Sequence, residues 1–108
     1  MVETLKPCRI VVLISGNGSN LEAIIKACSN KLILGNVVGV ISNRPEALGL
    51  TKARKAGIPA YVLDHRRFDT RENFDTQLQK LIDSMAPHIV TLAGFMRILG
   101  PKLVQHFL

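Results

Sequence analysis

The chain contains no tryptophan, one tyrosine and four phenylalanines, so aromatics make up only 5% of it. Such scarcity leaves no platform on which unpaired bases could stack, which argues against a single-stranded nucleic-acid binder. Cysteine is scarce too. Cys8 and Cys28 are the only two, too few for a disulfide framework and without metal-ligand spacing around them. A reducing compartment, the cytoplasm, is the expected location. No run of about eighteen apolar residues occurs, so no helical membrane span is expected. The segment from Met1 to Pro7 is short and polar, without the apolar core and cleavage site of a secretory signal. No Gly-Lys-Ser or Gly-Lys-Thr is present, which excludes a Walker-type loop.

Acidic residues are outnumbered. Lys and Arg total 14 against 8 Asp and Glu, for a net charge of +6 at pH 7. An excess of this kind draws anions by raising their local concentration and rate of arrival. The basic residues are scattered through Lys6, Lys26, Lys31, Lys52, Arg54, Lys55, Lys80 and Lys102 instead of forming a stripe. Small phosphorylated or carboxylated ligands therefore fit better than nucleic acid or a membrane surface.

What the chain does hold is apolar sequence, 47% of 108 residues, enough for the core of one domain over residues 1–108. Arg9-Ile-Val-Val-Leu-Ile-Ser15 reads as a parallel strand buried on both faces. A helix follows from Ser19 or Asn20 to about Cys28, with Glu22 three residues after Ser19 as in a capping box. A second strand covers 37–42. Pro45 suits the first turn of a helix running to Ala56 and closed by Gly57 and Pro59. Residues 60–63 form a short third strand. Asp69 with Glu72 offers a cap for a helix whose Phe74, Leu78, Leu81, Ile82 and Met85 make one apolar stripe, ended by Pro87. Residues 89–93 are a fourth buried strand, and Pro101 to Phe107 a last helix. The βαβαβαβα order predicts a Rossmann-like α/β fold, a parallel sheet with helices on both faces.

Ligands in such sheets gather beyond the carboxyl ends of the strands, where three loops qualify. In Ser15-Gly-Asn-Gly-Ser-Asn20, glycines permit a sharp turn and the next helix presents unpaired N–H groups and a positive dipole end, a natural phosphate site. The plainer alternative is a tight turn with Ser19 as a helix cap. A dinucleotide fingerprint wants glycine where Leu21 stands and an acid ending the second strand, where Ser42-Asn43-Arg44 stands. Arg44 leaves an NADP-binding oxidoreductase open, since arginine accepts a 2′-phosphate. The second loop, from His65 to Arg71, is the densest basic cluster, or simply a solvated surface. The third, Ala93-Gly-Phe-Met-Arg-Ile-Leu99, is too apolar for an ordinary loop and suits either a wall for a flat ligand or core packing.

Val11-Val-Leu-Ile-Ser-Gly-Asn-Gly-Ser-Asn-Leu-Glu-Ala-Ile-Ile25 resembles the N-terminal phosphate loop of the glycinamide ribonucleotide formyltransferases, and Leu92-Ala-Gly-Phe-Met-Arg-Ile-Leu99 resembles their folate-binding segment. Ile41-Ser-Asn43, Ala56-Gly-Ile-Pro59 and Phe68-Asp-Thr-Arg-Glu72 fall between them in matching order. The resemblance implies a formyl transfer from 10-formyltetrahydrofolate, as co-substrate and without metal, to the amine of glycinamide ribonucleotide in purine (IMP) synthesis. It implies that Gly18, Ser19 and Asn20 bind the phosphoribosyl group, and that Arg71, Met96, Arg97, Ile98 and Leu99 bind the folate. A formyltetrahydrofolate hydrolase or another folate formyltransferase, and a binding module without chemistry, are the alternatives.

The same resemblance implies a catalytic Asn and His in an Asn-x-His-Pro-Ser motif, with a later Asp, and these positions lie beyond Leu108. The expectation is thus a front half cut before its catalytic centre, inactive by itself, with the fourth strand left as an apolar edge. His65, His88 and His106 read as surface or packing residues.

Overall fold

The computed structural model describes residues 7–96 and 99–107. Its elements, in chain order, are β1 (Cys8–Ile14), α1 (Ser19–Ser29), β2 (Gly35–Ser42), α2 (Leu48–Lys55), β3 (Ala60–Val62), a 3-10 turn (His65–Arg67), α3 (Arg71–Ser84), β4 (Ile89–Leu92) and α4 (Pro101–His106). The strands form one parallel sheet in the order β3-β2-β1-β4. The α/β architecture read from the apolar alternation is the one observed. Among the described residues no helix is long and apolar enough to cross a membrane.

The core divides at the sheet. Ile10, Val12 and Ile14 of β1 pack with Leu21 of α1 and Leu50 and Ala53 of α2. Val11 and Leu13 point the other way, to Phe74, Leu78 and Ile82 of α3 and Leu103 of α4. Period-two alternation along a strand covered on both faces produces this split, and all five residues from Ile10 to Ile14 are at most 5% exposed. Burying each such side chain is worth roughly 1.5–3 kcal/mol, so β1 is the keel of the domain. At the other extreme β4 is an edge strand of the described sheet, and its Ile89 and Leu92 are 49% and 53% exposed.

Helix starts differ from the sequence reading in three places. The Ser19–Glu22 capping box does not form. Gly18, in the left-handed region at φ 79°, is the residue before α1, Asn17 Oδ1 takes the Ser19 N–H at 3.0 Å, and Glu22 instead pairs with Lys52 Nζ at 3.3 Å. The second helix begins at Leu48, not at Pro45, because Pro45 and Glu46 form a turn in which the Ala47 N–H donates to Arg44 O at 3.4 Å. α3 is capped by Thr70, whose Oγ1 accepts the Asn73 N–H at 3.1 Å, one residue after the expected Asp69. At α1 and α3 several side chains at the boundary are able to cap and the path of the loop selects one, whereas α2 starts after Ala47 without a side-chain cap.

Candidate functional site

The loop after β1 owes its shape to a close approach between backbones. A Cβ on Gly18 would lie 2.6 Å from Gly49 Cα, and the Gly49 N–H donates to Gly16 O at 3.1 Å. The turn is therefore seated directly on the first turn of α2. Gly18 O accepts the Glu22 N–H at 2.9 Å, which opens α1. Ser19 and Asn20 are exposed on that first turn, where backbone N–H groups lack intrahelical partners and the dipole is positive. Asn17 Oδ1 accepts the Ser19 N–H there at 3.0 Å.

The segment after β4 continues its ladder for one bond, Ala93 N–H to Leu13 O at 2.9 Å. It then turns at Gly94, φ 75°. The Met96 N–H donates to Ser15 Oγ at 2.8 Å. Phe95 and Leu99 are half-buried against the α3 side of the core, whereas the Met96 side chain is 75% exposed. Core packing thus holds for Phe95 and Leu99, whereas the Met96 side chain faces open space. Arg97 and Ile98 lie outside the described residues.

These two stretches meet. Gly16 to Asn20 on one side and Ala93, Gly94 and Met96 on the other line a cavity of about 260 Å³. It lies between the carboxyl ends of β1 and β4, where the strand order reverses and open α/β sheets take their ligands. Its described lining contains no carboxylate, imidazole, thiol or amine. Arg71 is not part of it. Arg71 is the first residue of α3, exposed, and lines a separate cavity of about 310 Å³ with Thr70, Glu72, Asp75, Gly100 and Pro101. Ala93, Gly94 and Met96 thus border the glycine-loop cavity, and Gly100 and Pro101 border the Arg71 cavity.

The remaining sequence candidates are placed less openly. Of Ser42-Asn43-Arg44 only Arg44 is exposed. Asn43 is 1% exposed, and its Oδ1 accepts the Ser15 hydroxyl at 2.5 Å. In the basic loop, His65 Nδ1 donates to Asn43 O at 3.0 Å and Arg66 is bound to Asp64. That Arg66 hydrogen bond holds the Asp64 carboxyl down at about 2. His88 Nδ1 accepts the Arg9 N–H at 2.9 Å, a structural role. His106 has the acid partner that its sequence neighbours lack: Asp83 of α3, 2.9 Å from Nε2.

Sequence reasoning missed Gly49 and Asp75 at this end of the sheet, and named Ser15 and Asn43 within their loops without foreseeing their contact. For Asp75 a signal existed. The spacing 75-78-82-85 puts it on the buried face of α3 with Leu78, Ile82 and Met85, and it is 8% exposed. The Ser15–Asn43 and Gly16–Gly49 contacts join distant parts of the chain and leave no local pattern.

The chain is similar to known proteins in sequence and in fold. The chain is 55% identical over 98 residues to the phosphoribosylglycinamide formyltransferase of Escherichia coli strain K12, which covers 91% of this chain and 46% of that protein. It is 45% identical over 100 residues to the trifunctional purine biosynthetic protein adenosine-3 of Bos taurus, 93% of this chain and 10% of the relative. The structure matches the phosphoribosylglycinamide formyltransferase of Coxiella burnetii with a TM-score of 0.89 at 49% identity, over 93% of this chain and 47% of that one. The chain spans about half the length of these bacterial relatives. A profile described as formyl transferase matches residues 8–108, and the chain belongs to that family.

Proposed function

We propose that the chain carries the ligand-binding loops of a phosphoribosylglycinamide formyltransferase, which moves a formyl group from 10-formyltetrahydrofolate to the amine of glycinamide ribonucleotide. The observation that carries this reading is the single cavity shared by the glycine loop and the segment from Ala93 to Met96. A ribonucleotide phosphate suits the first turn of α1, where Gly18, Ser19 and Asn20 offer N–H groups and the Asn17 side chain is displaceable. A pterin suits the wall at Met96, and the family resemblance assigns Arg97, Ile98 and Leu99 to the same ligand. The anionic tail of the folate suits Arg71 at the far end of that wall. Both ligands are anions, in keeping with the net charge of +6.

In formyl transfer the amine nitrogen attacks the formyl carbon, the bond from that carbon to the folate nitrogen breaks, and a proton leaves the amine for that nitrogen. An acid that also donates to the developing oxyanion lowers this barrier. No side chain of that kind lines the cavity among the described residues, so the part assigned to this chain is binding and orientation. Its two free cysteines suit the cytoplasm.

Calorimetric titration with glycinamide ribonucleotide and with 5-formyltetrahydrofolate, a stable analogue, tests the reading. Independent binding of both is expected, with inorganic phosphate competing against the ribonucleotide alone. Binding of NADPH in their place would overturn it. Formyl transfer by residues 1–108 alone, free of any longer enzyme, would overturn the purely binding role.

A further inference from the structure

We propose that Ser15 and Asp75 are positioning residues that hold the two ends of the segment after β4, and so fix the wall assigned above to the folate. The inference rests on that folate reading. Beyond the Ala93 N–H, two side chains far apart in sequence take backbone donors of this segment. Ser15 Oγ, at the carboxyl end of β1, accepts the Met96 N–H at 2.8 Å. Asp75 Oδ2, on α3, accepts the Gly100 N–H at 2.8 Å in a buried setting. The span between them contains Met96 and Leu99 and leads from the glycine-loop cavity to the Arg71 cavity.

Each acceptor is itself oriented. The Ser15 hydroxyl hydrogen is committed to Asn43 Oδ1 at 2.5 Å, which turns an oxygen lone pair toward Met96. Asn43 is in turn fixed by its carbonyl, which accepts from His65 Nδ1 at 3.0 Å. At the other end, Asp75 occupies a position on the α3 stripe that an apolar residue would fill at lower cost, since an incompletely paired buried carboxylate is unfavourable. Its Oδ1 has no hydrogen-bond partner among the described residues and less than 1 Å² of accessible surface. That oxygen is closed to a ligand and Oδ2 is taken by the Gly100 N–H, so the carboxylate is assigned to holding the segment although Asp75 also borders the Arg71 cavity. Gly100 completes the fit, because a Cβ there would lie 2.6 Å from Asp75 Oδ2. A side chain there would have to push that carboxylate aside and disturb the hydrogen bond.

The test compares Asp75→Leu, Asp75→Asn and Ser15→Ala with the unsubstituted protein. Three readings are taken: affinity for 5-formyltetrahydrofolate, affinity for glycinamide ribonucleotide, and the midpoint of thermal unfolding. Asp75→Leu and Ser15→Ala should weaken folate binding roughly ten- to hundredfold and leave the ribonucleotide within about twofold. The midpoint for Asp75→Leu should stay level or rise, because an apolar residue replaces a poorly paired carboxylate. Asp75→Asn keeps an acceptor oxygen and should restore most of the folate affinity. Amide hydrogen exchange adds a ligand-free reading: the Gly100 amide should exchange faster in Asp75→Leu, and the Met96 amide faster in Ser15→Ala. Equal losses for both ligands together with a lowered midpoint would mean a general structural role and overturn the inference. Unchanged folate affinity in a well-folded Asp75→Leu protein would overturn it while leaving the proposed function intact. Absence of folate binding by the unsubstituted protein would overturn both.

Discussion

The Gly49 N–H donates to Gly16 O at 3.1 Å, so the turn that follows β1 and the first turn of α2 behave as one piece. A Cβ on Gly49 would stand 2.5 Å from Ile14 Cδ1 and 3.2 Å from Gly18 Cα. Gly49→Ala should therefore push the glycine loop away from α2 at a cost of about 1–3 kcal/mol, as overpacking usually does. Urea unfolding and phosphate affinity should both fall. A stable protein with unchanged phosphate binding would show that the loop does not depend on this contact.

Asn20 is exposed on the first turn of α1 and lines the glycine-loop cavity. If it donates to the ribonucleotide phosphate, Asn20→Ala removes one bond to a charged group, worth roughly 1.5–3 kcal/mol. Ribonucleotide affinity should drop by about ten- to hundredfold while folate affinity stays level. A parallel fall in both would point to a collapsed loop instead of a lost contact.

Asp64 provides a pH-dependent observable. Arg66 holds its carboxyl at about 2, below the ordinary 3.8. A depressed carboxylate favours the folded arrangement above the ordinary value, and that contribution is lost as pH falls from about 4 through 2. The carboxyl carbon of Asp64, followed by NMR, should titrate near 2, and Arg66→Ala should return it toward 3.8. A midpoint already at 3.8 in the unsubstituted protein would mean that the exposed pair does not persist in solution.

Leu78 is fully buried in the middle of the α3 stripe, among Val11, Leu13, Ile41 and Phe74. Leu78→Ala should cost about 2–5 kcal/mol, the loss of the side chain plus the cavity it leaves. Denaturant unfolding reads this directly. A change below about 1 kcal/mol would mean that α3 relaxes into the gap and is packed more loosely than its burial indicates.

Much of this molecule was already legible in local pattern. The run from Ile10 to Ile14 marked a strand covered on both faces, and residues 74 to 85 marked a helix with one apolar stripe, because burial repeats at the period of the element that creates it. Gly18 announced a turn that only glycine makes at low cost, since its φ of 79° is unfavourable for side chains. The glycine loop and the apolar segment after β4 stood out in the sequence, although only the fold brings Gly16–Asn20 and Ala93–Met96 to one cavity. Other features were decided by tertiary structure alone. Thr70 caps α3 and Asn17 takes the Ser19 N–H because the incoming chain aims those side chains at the helix start. Ser15 meets Asn43, Asp75 meets Gly100 and Asp83 meets His106 across 28, 25 and 23 residues of sequence. No local propensity encodes such pairs. Hydrogen-bond partners are chosen by distance in space, and that distance exists only once the sheet and its helices have closed around β1.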